Sequence, residues 1–217
     1  MPSKEKQNNQ KPRHPIFVFL TFFLVVLGLV FLFVPKTMLA SALEKEQQVV
    51  ASSLGEKTAK RIKADADAWY VASFIETGML HATYDFLIGQ WDQEGDLQFD
   101  DRGIGKWSEQ RLDTTWLVLY LVYYRVAVIT TWLPYLFPFL LAVGIDSVAH
   151  REISKWRFSF SSPLAHSSGL KGIYGSIFIL LTLPFLPIAP PPMTTPFVFM
   201  VIAIFMWLCL ANVHKRV

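Results

Sequence analysis

The chain has 217 residues, of which 53% are apolar, 15% aromatic and 17% charged, with a mean hydropathy of +0.36. That is too oily and too weakly charged for an ordinary soluble domain, and it excludes disorder as the main state. A single cysteine, Cys209, cannot form an internal disulfide, and with five scattered histidines it excludes the usual zinc clusters.

Charge is missing from several long stretches and gathered in blocks between them. The pattern predicts an all-α integral membrane protein: four transmembrane helices, with a helical periplasmic segment between the first and second. After a basic arm over residues 1–15, the first span is expected over 16–34. These are 19 uncharged residues, or about 28 Å of helix against a hydrocarbon core of roughly 30 Å. A secretory signal is the rival reading, since Lys11 and Arg13 precede the stretch and Ala40-Ser41-Ala42 follows it like a cleavage site. The apolar run exceeds the roughly 7–15 residues of a signal core, which favours an uncleaved anchor.

Residues 35–113 form the expected periplasmic segment. Its first part, 37–67, is rich in Ala, Glu, Lys and Gln, holds Glu56 and Lys60 at i,i+4 spacing, and has only Gly55 as a breaker. A helix leaving the membrane is predicted there. From Trp69 to Ile88 apolar side chains fall nearly all round a helical projection, so packing on several sides is expected. Trp91, Trp107, Trp116, Tyr120, Tyr123 and Tyr124 stand where an aromatic belt at the outer interface would lie. The segment is small for a core of its own and is expected to lean on membrane helices or partners.

Thr114 to Ile145 is 32 residues broken by one charge, Arg125. At about 48 Å it is too long for one upright crossing. A hairpin of two short helices would bring the basic loop to the side of the acidic segment. A single crossing over 126–145, preceded by an interfacial helix start over 114–125, avoids this. It also leaves Arg125 near the outer boundary, where its guanidinium snorkels rather than bearing the ~2.5–3.5 kcal/mol of a mid-membrane arginine. After a loop over 146–172 the third span is expected over 173–189, a proline turn over 190–194, the fourth span over 195–213 and a tail over 214–217. Pro190-Pro191-Pro192 enforces a tight helical hairpin, Pro184 and Pro187 should kink or unwind the end of the third span, and Pro134 and Pro138 should bend the second.

Orientation follows from Lys and Arg. Lys4, Lys6, Lys11 and Arg13 in the arm, Arg151, Lys155, Arg157 and Lys171 in the loop, and Lys215 and Arg216 in the tail fall on one side of a four-span chain. That side is expected to be the cytoplasm, with both termini there, in a bacterial inner membrane. Residues 36–113 carry nine basic and fourteen acidic residues, net −5.

No chemistry of an enzyme emerges. Taking Asp92 as position 1 of a calcium loop puts Leu97 at the turn glycine and Gly103 at the bidentate glutamate. Gly103-Ile104-Gly105-Lys106 lacks the first glycine of a phosphate loop, having Asp100, and has Trp107 where Ser or Thr should hold magnesium. Asp85 and Asp146 lie toward opposite sides of the membrane and cannot share a proton as an aspartyl protease requires. No catalytic, cofactor or metal residues are assigned. A small-solute or ion transporter is the alternative, but the spans hold no carboxylate and at most one arginine. Gly172 and Ser176 read as a small-x-x-x-small packing pair.

The most specific stretch alternates bases and aromatics: Arg151, Lys155, Trp156, Arg157 and Phe158, then Ser162, Pro163 and His166. By itself it reads as a juxtamembrane loop attracted to anionic lipid or a protein dock, with too few cations to argue direct nucleic-acid binding. Together with Trp69-Tyr70, Phe74 to Gly78, Arg125, Trp132 to Pro138 and Asp146, it resembles the integrating-conjugative-element membrane protein family, over roughly residues 60–217. Family members often show a glycine where this chain has Ser147 and a second histidine where it has Ser167. The resemblance implies a protein encoded with conjugation genes, commonly beside the coupling ATPase that brings DNA to a type IV secretion channel. The expectation is a non-enzymatic inner-membrane subunit that docks or stabilises that ATPase or the channel. Arg151, Lys155, Trp156, Arg157, Phe158, Ser162, Pro163 and His166 are the candidate docking residues.

Overall fold

The computed structural model describes residues 15–87, 101–156 and 162–213. Every regular element among them is helical: α1 (Pro15–Phe33), α2 (Lys36–Leu54), α3 (Glu56–Tyr70), α4 (Met79–Leu87), α5 (Asp101–Trp156), α6 (Pro163–Thr182) and α7 (Thr194–Ala211). A π-helical turn, Val71–Ile75, follows α3, and a 3-10 turn, Leu183–Phe185, follows α6. The 32-residue stretch that could have been a hairpin lies within one uninterrupted helix of 56 residues, α5, which carries Pro134 and Pro138 inside it.

Among the described residues three helices are long and apolar enough to cross a membrane, in Trp107–Trp156, Pro163–Phe185 and Thr194–Ala211. The four spans expected from the sequence become three. The N-terminal helix contributes only the shorter apolar stretch Phe17–Val30, about 21 Å long. Its contacts are also displaced along α5. Phe19 and Phe22 meet Phe178, Phe23 meets Phe185, Val30 packs with Val118 and Leu121, and the Val34 carbonyl accepts from Arg111. Helix α1 therefore flanks the region before Arg125 instead of running beside residues 126–145.

The broadest packing is between α6 and α7, with α7 also packed along α5. Glycine permits the close approach. A Cβ on Gly169 would stand 2.7 Å from the Cys209 amide nitrogen and 2.9 Å from the Phe205 carbonyl oxygen, and one on Gly172 would strike the Phe205 ring. Ser176, one turn on, is buried and donates to the Gly172 carbonyl at 2.8 Å. This is the small-residue seam expected of membrane helices.

Away from that hairpin, α2 and α3 fold back on each other at Gly55, whose φ of +85° suits glycine. Both then pack on α5. Val50, Ile62 and Ala66 bury against Tyr124, Ala127 and Val128, and Leu39 joins Val30, Val118 and Leu121. The expected aromatic belt is largely an internal seam instead. Trp116 and Tyr124 are buried, and Tyr70 and Phe74 stack edge-on with Trp116, Tyr120 and Tyr123. Trp107 stays exposed, while Trp91 lies outside the described residues. Packing of 69–87 on several sides is not what the structure shows: Trp69, Ile75, Met79 and Phe86 are exposed, because only α5 covers that segment.

The glycine seam predicts a graded result. Gly169→Ala drives a methyl into backbone that cannot step aside and should cost about 1–3 kcal/mol in detergent-solubilised protein. Gly175→Ala meets nothing within 4 Å and should be neutral or slightly stabilising. Thermal or denaturant unfolding in one detergent compares the two, and equal melting would remove the close approach from the fold's foundations.

Candidate functional site: a buried arginine node and a packed connector end

The node begins with prolines. Leu183, Leu186 and Ile188 each stand four residues before a proline, Pro187, Pro190 and Pro192. A continuing helix would send amide donors to those carbonyls, and proline has none to give. Helix α6 accordingly ends at Thr182 and passes through a single 3-10 turn, which matches the unwinding expected from Pro184 and Pro187.

Arg125 supplies what the prolines withhold. Its Nη1 donates to the carbonyls of Leu183 (3.1 Å), Pro184 (3.0 Å) and Leu186 (2.6 Å), and its Nη2 donates to that of Ile188. The remaining edge faces Glu46, with Nε 3.2 Å and 2.9 Å from the two carboxylate oxygens and Nη2 at 2.9 Å. Both side chains are only 2–3% exposed. The arginine does not snorkel to an interface, as its place in the sequence suggested; Glu46 and the carbonyls let it stay inside. A cation at the end of α6 also lies favourably to that helix's dipole. Burial raises the Glu46 carboxyl above its ordinary range, and the hydrogen bonds and charge of Arg125 oppose the rise. The space left around the node is about 10 Å³, room for about one water. It holds the fold together and binds no ligand.

Before the node along α5, further polar ties attach the preceding helices. Tyr120 donates to Asp67 at 2.6 Å, and Asp113 accepts from both Lys36 (2.7 Å) and Tyr84 (2.5 Å). Burial, with the Asp113 carboxylate, pushes the Tyr84 hydroxyl up to about 12.

At the other end of the bundle lies the connector between α5 and α6. Ser162 N-caps α6, its hydroxyl accepting from Ala165 N–H at 3.3 Å, and Pro163 occupies the first turn. Ser162 N–H also donates to the Asn212 side chain at 3.3 Å, and His166 Nδ1 lies 2.9 Å from the Cys209 carbonyl. Asp146 accepts from the Trp207 indole at 2.9 Å, and His150 packs against the same ring. Ser147, where relatives in the resemblance carry glycine, is fully buried and donates to the Gly144 carbonyl at 2.7 Å.

The structure thus divides the eight candidate docking residues. Ser162, Pro163 and His166 are used in capping α6 and fastening it to α7. Lys155 is paired with Glu152, and Arg151 is half-buried. Trp156 is 84% exposed, and across the connector Leu164 is 80% exposed, a residue that sequence reasoning passed over. Arg157 and Phe158 lie outside the described residues. Among the described residues no three His, Cys, Asp or Glu side chains gather as a metal site would require.

Glu46 was missed altogether, although its signal was present. It sits at 39, 42, 46, 50 spacing with Leu39, Ala42 and Val50, a carboxylate on the buried stripe of α2. The apolar stretch that needed a counter-ion was the one holding Arg125.

These features define a class: an all-helical protein with three membrane-capable helices, braced at one end by a buried ion pair and offering no catalytic constellation among the described residues. The chain belongs to the DtrJ-like family, described as IncC plasmid conjugative DNA transfer protein DtrJ-like, whose family model matches residues 32–214. Membership places it in conjugative DNA transfer. The sequence resemblance pointed to the same process by way of integrating conjugative elements, whereas the family that matches is named for a plasmid. No curated protein and no solved structure matches the chain.

Arg125→Met should cost about 3–5 kcal/mol, because it strands Glu46 and four carbonyls in the interior. Arg125→Lys should recover little, since an ammonium cannot serve the carboxylate and the carbonyls with one planar fork. The double variant Arg125→Met/Glu46→Met should be less damaged than the sum of its parts. Unfolding free energies in detergent close the cycle, and strict additivity would show that the pair is not coupled.

Proposed function

We propose that the protein is a non-enzymatic inner-membrane subunit of a conjugative DNA-transfer apparatus, docking or stabilising the coupling ATPase or the channel through its connector end. One observation carries this reading: Trp156 and Leu164 project, 84% and 80% exposed, from a connector end fastened from within by Ser162, His166 and Asp146. A large aromatic presented on a rigid support is what a protein contact uses as an anchor. The surrounding cations, Arg151, Lys155, Arg157 and Lys171, suit anionic lipid or an acidic protein surface.

The same cations, with Lys215 and Arg216, support a cytoplasmic location for this end, since the proline turn at the other end of the hairpin has no Lys or Arg. The connector and the tail carry that assignment without α1. A cytoplasmic N-terminal arm would require α1 to cross as well. The transporter alternative is disfavoured by the node, where the buried charge is locked to four carbonyls in a space that admits no solute.

Trp156→Ala, and separately Arg151→Glu/Lys155→Glu/Arg157→Glu, should lower transfer frequency at least about tenfold and lose copurification of the coupling ATPase or channel subunits, with unchanged melting. The tenfold figure corresponds to about 1.4 kcal/mol of contact energy. Mating assays and mild-detergent pull-downs at native expression read both. Wild-type transfer by both variants would remove the connector from the interface, and recovery of the unmutated protein without partners would end the docking reading.

A further inference from the structure

A second surface lies between α3 and α5, away from the connector. It is a groove of about 590 Å³, walled on one side by Lys57, Arg61 and Trp69 and on the other by Thr130, Pro134 and Tyr135. Its size falls within the range of small-molecule sites. Arg61 holds Asp65, also on the groove, at 3.8 Å, with side chains 83% and 47% exposed, a weak contact that another anion readily replaces. The lining keeps a net charge of +1 with that carboxylate counted.

Two features give the groove its ligand. First, Thr130 to Tyr135 stand five to ten residues beyond Arg125, so the cations of α3 lie beside the first turns of the apolar crossing, at headgroup depth, with Trp69 and Tyr135 as interfacial aromatics. Second, Pro134, Pro138, Leu141 and Ile145 recur at helical spacing and are all exposed, forming an apolar track that leads from the groove along α5 for about 16 Å. Cations at the mouth and an uncovered hydrocarbon track below match a molecule that is anionic at one end and apolar along its length.

We propose that this groove binds an anionic phospholipid, with its phosphate between Lys57 and Arg61 and an acyl chain along Pro134, Pro138, Leu141 and Ile145. The proposal rests on the membrane reading of α5 and is independent of the docking reading.

Native mass spectrometry of the full-length protein in detergent tests it, with phosphatidylglycerol, phosphatidylcholine and free glycerol 3-phosphate as probes. Phosphatidylglycerol should be retained at least tenfold better than phosphatidylcholine. Lys57→Gln/Arg61→Gln, which alters exposed side chains, should abolish that preference, while Lys63→Gln and the connector triple reversal keep it. Benzoylphenylalanine in place of Tyr135 should crosslink phosphatidylglycerol in liposomes. Equal retention of the two lipids, or retention unchanged in Lys57→Gln/Arg61→Gln, overturns the site. Displacement by glycerol 3-phosphate at similar concentration overturns the lipid and leaves a soluble phosphate ligand. Loss of copurification in the connector variants with lipid retention intact would separate this site from the docking surface.

Discussion

A guanidinium taken out of water has to be compensated by everything around it, and in this protein that single demand organises one end of the molecule. Arg125 draws together three stretches far apart in sequence: its own helix, α2 through Glu46, and the unwound end of α6 through four carbonyls. The desolvation of two charges makes such a pair a poor source of net stability, and an apolar replacement of the whole arrangement can match it. What the pair does supply is uniqueness. Only one placement of α2 and of the α6–α7 turn satisfies all the nitrogen donors at once, and any other leaves a buried charge or a buried carbonyl unpaired.

The proline-rich turn has meaning in this light. Pro187, Pro190 and Pro192 do more than stop a helix; they strip the donors from the carbonyls that Arg125 then occupies. Prolines and arginine are complementary halves of one device, separated by about sixty residues of sequence. Substituting a proline would restore an amide donor that competes with the guanidinium, so the turn and the node stand or fall together.

Much of this was legible in the residues, and the limits of legibility have physical causes. The Gly55 break, the end of α6, the serine–proline start of that helix and the small-residue seam are local, written in the turn and cap chemistry of a few neighbours. The node is not local. Arg125 in an apolar stretch announced a cost, and the cost has two solutions, escape to an interface or recruitment of a counter-ion. Sequence position favours the first, and only tertiary packing reveals that Glu46 provides the second. The aromatic belt failed for the same reason. Trp116 and Tyr124 have the composition of interfacial residues, but α2, α3 and the π-helical turn fold back to cover that stretch of α5 and convert the belt into a seam. The first span was judged on length and apolarity, whereas the depth at which a helix stands is set by what it packs against, and α1 packs beside Val118 and Leu121.

The residues that carried the family resemblance divide in a way that bears on function. Asp146, Ser162, Pro163 and His166 are consumed in fastening α6 and α7 at the connector, and Arg125 in fastening the opposite end. A pattern retained for such reasons marks a shape to be preserved rather than a reaction to be performed. The matched residues, 32–214, contain both fastened ends and all three membrane-capable helices, and they leave most of α1 outside. A body rigid at both ends has its freedom only at the surface, which is where Trp156 and Leu164 stand. In a transfer apparatus assembled from separate membrane parts, a preorganised anchor spares the ordering entropy that a mobile loop would lose on contact. The internal fastening of the connector is thus part of what makes its exposed face fit to bind.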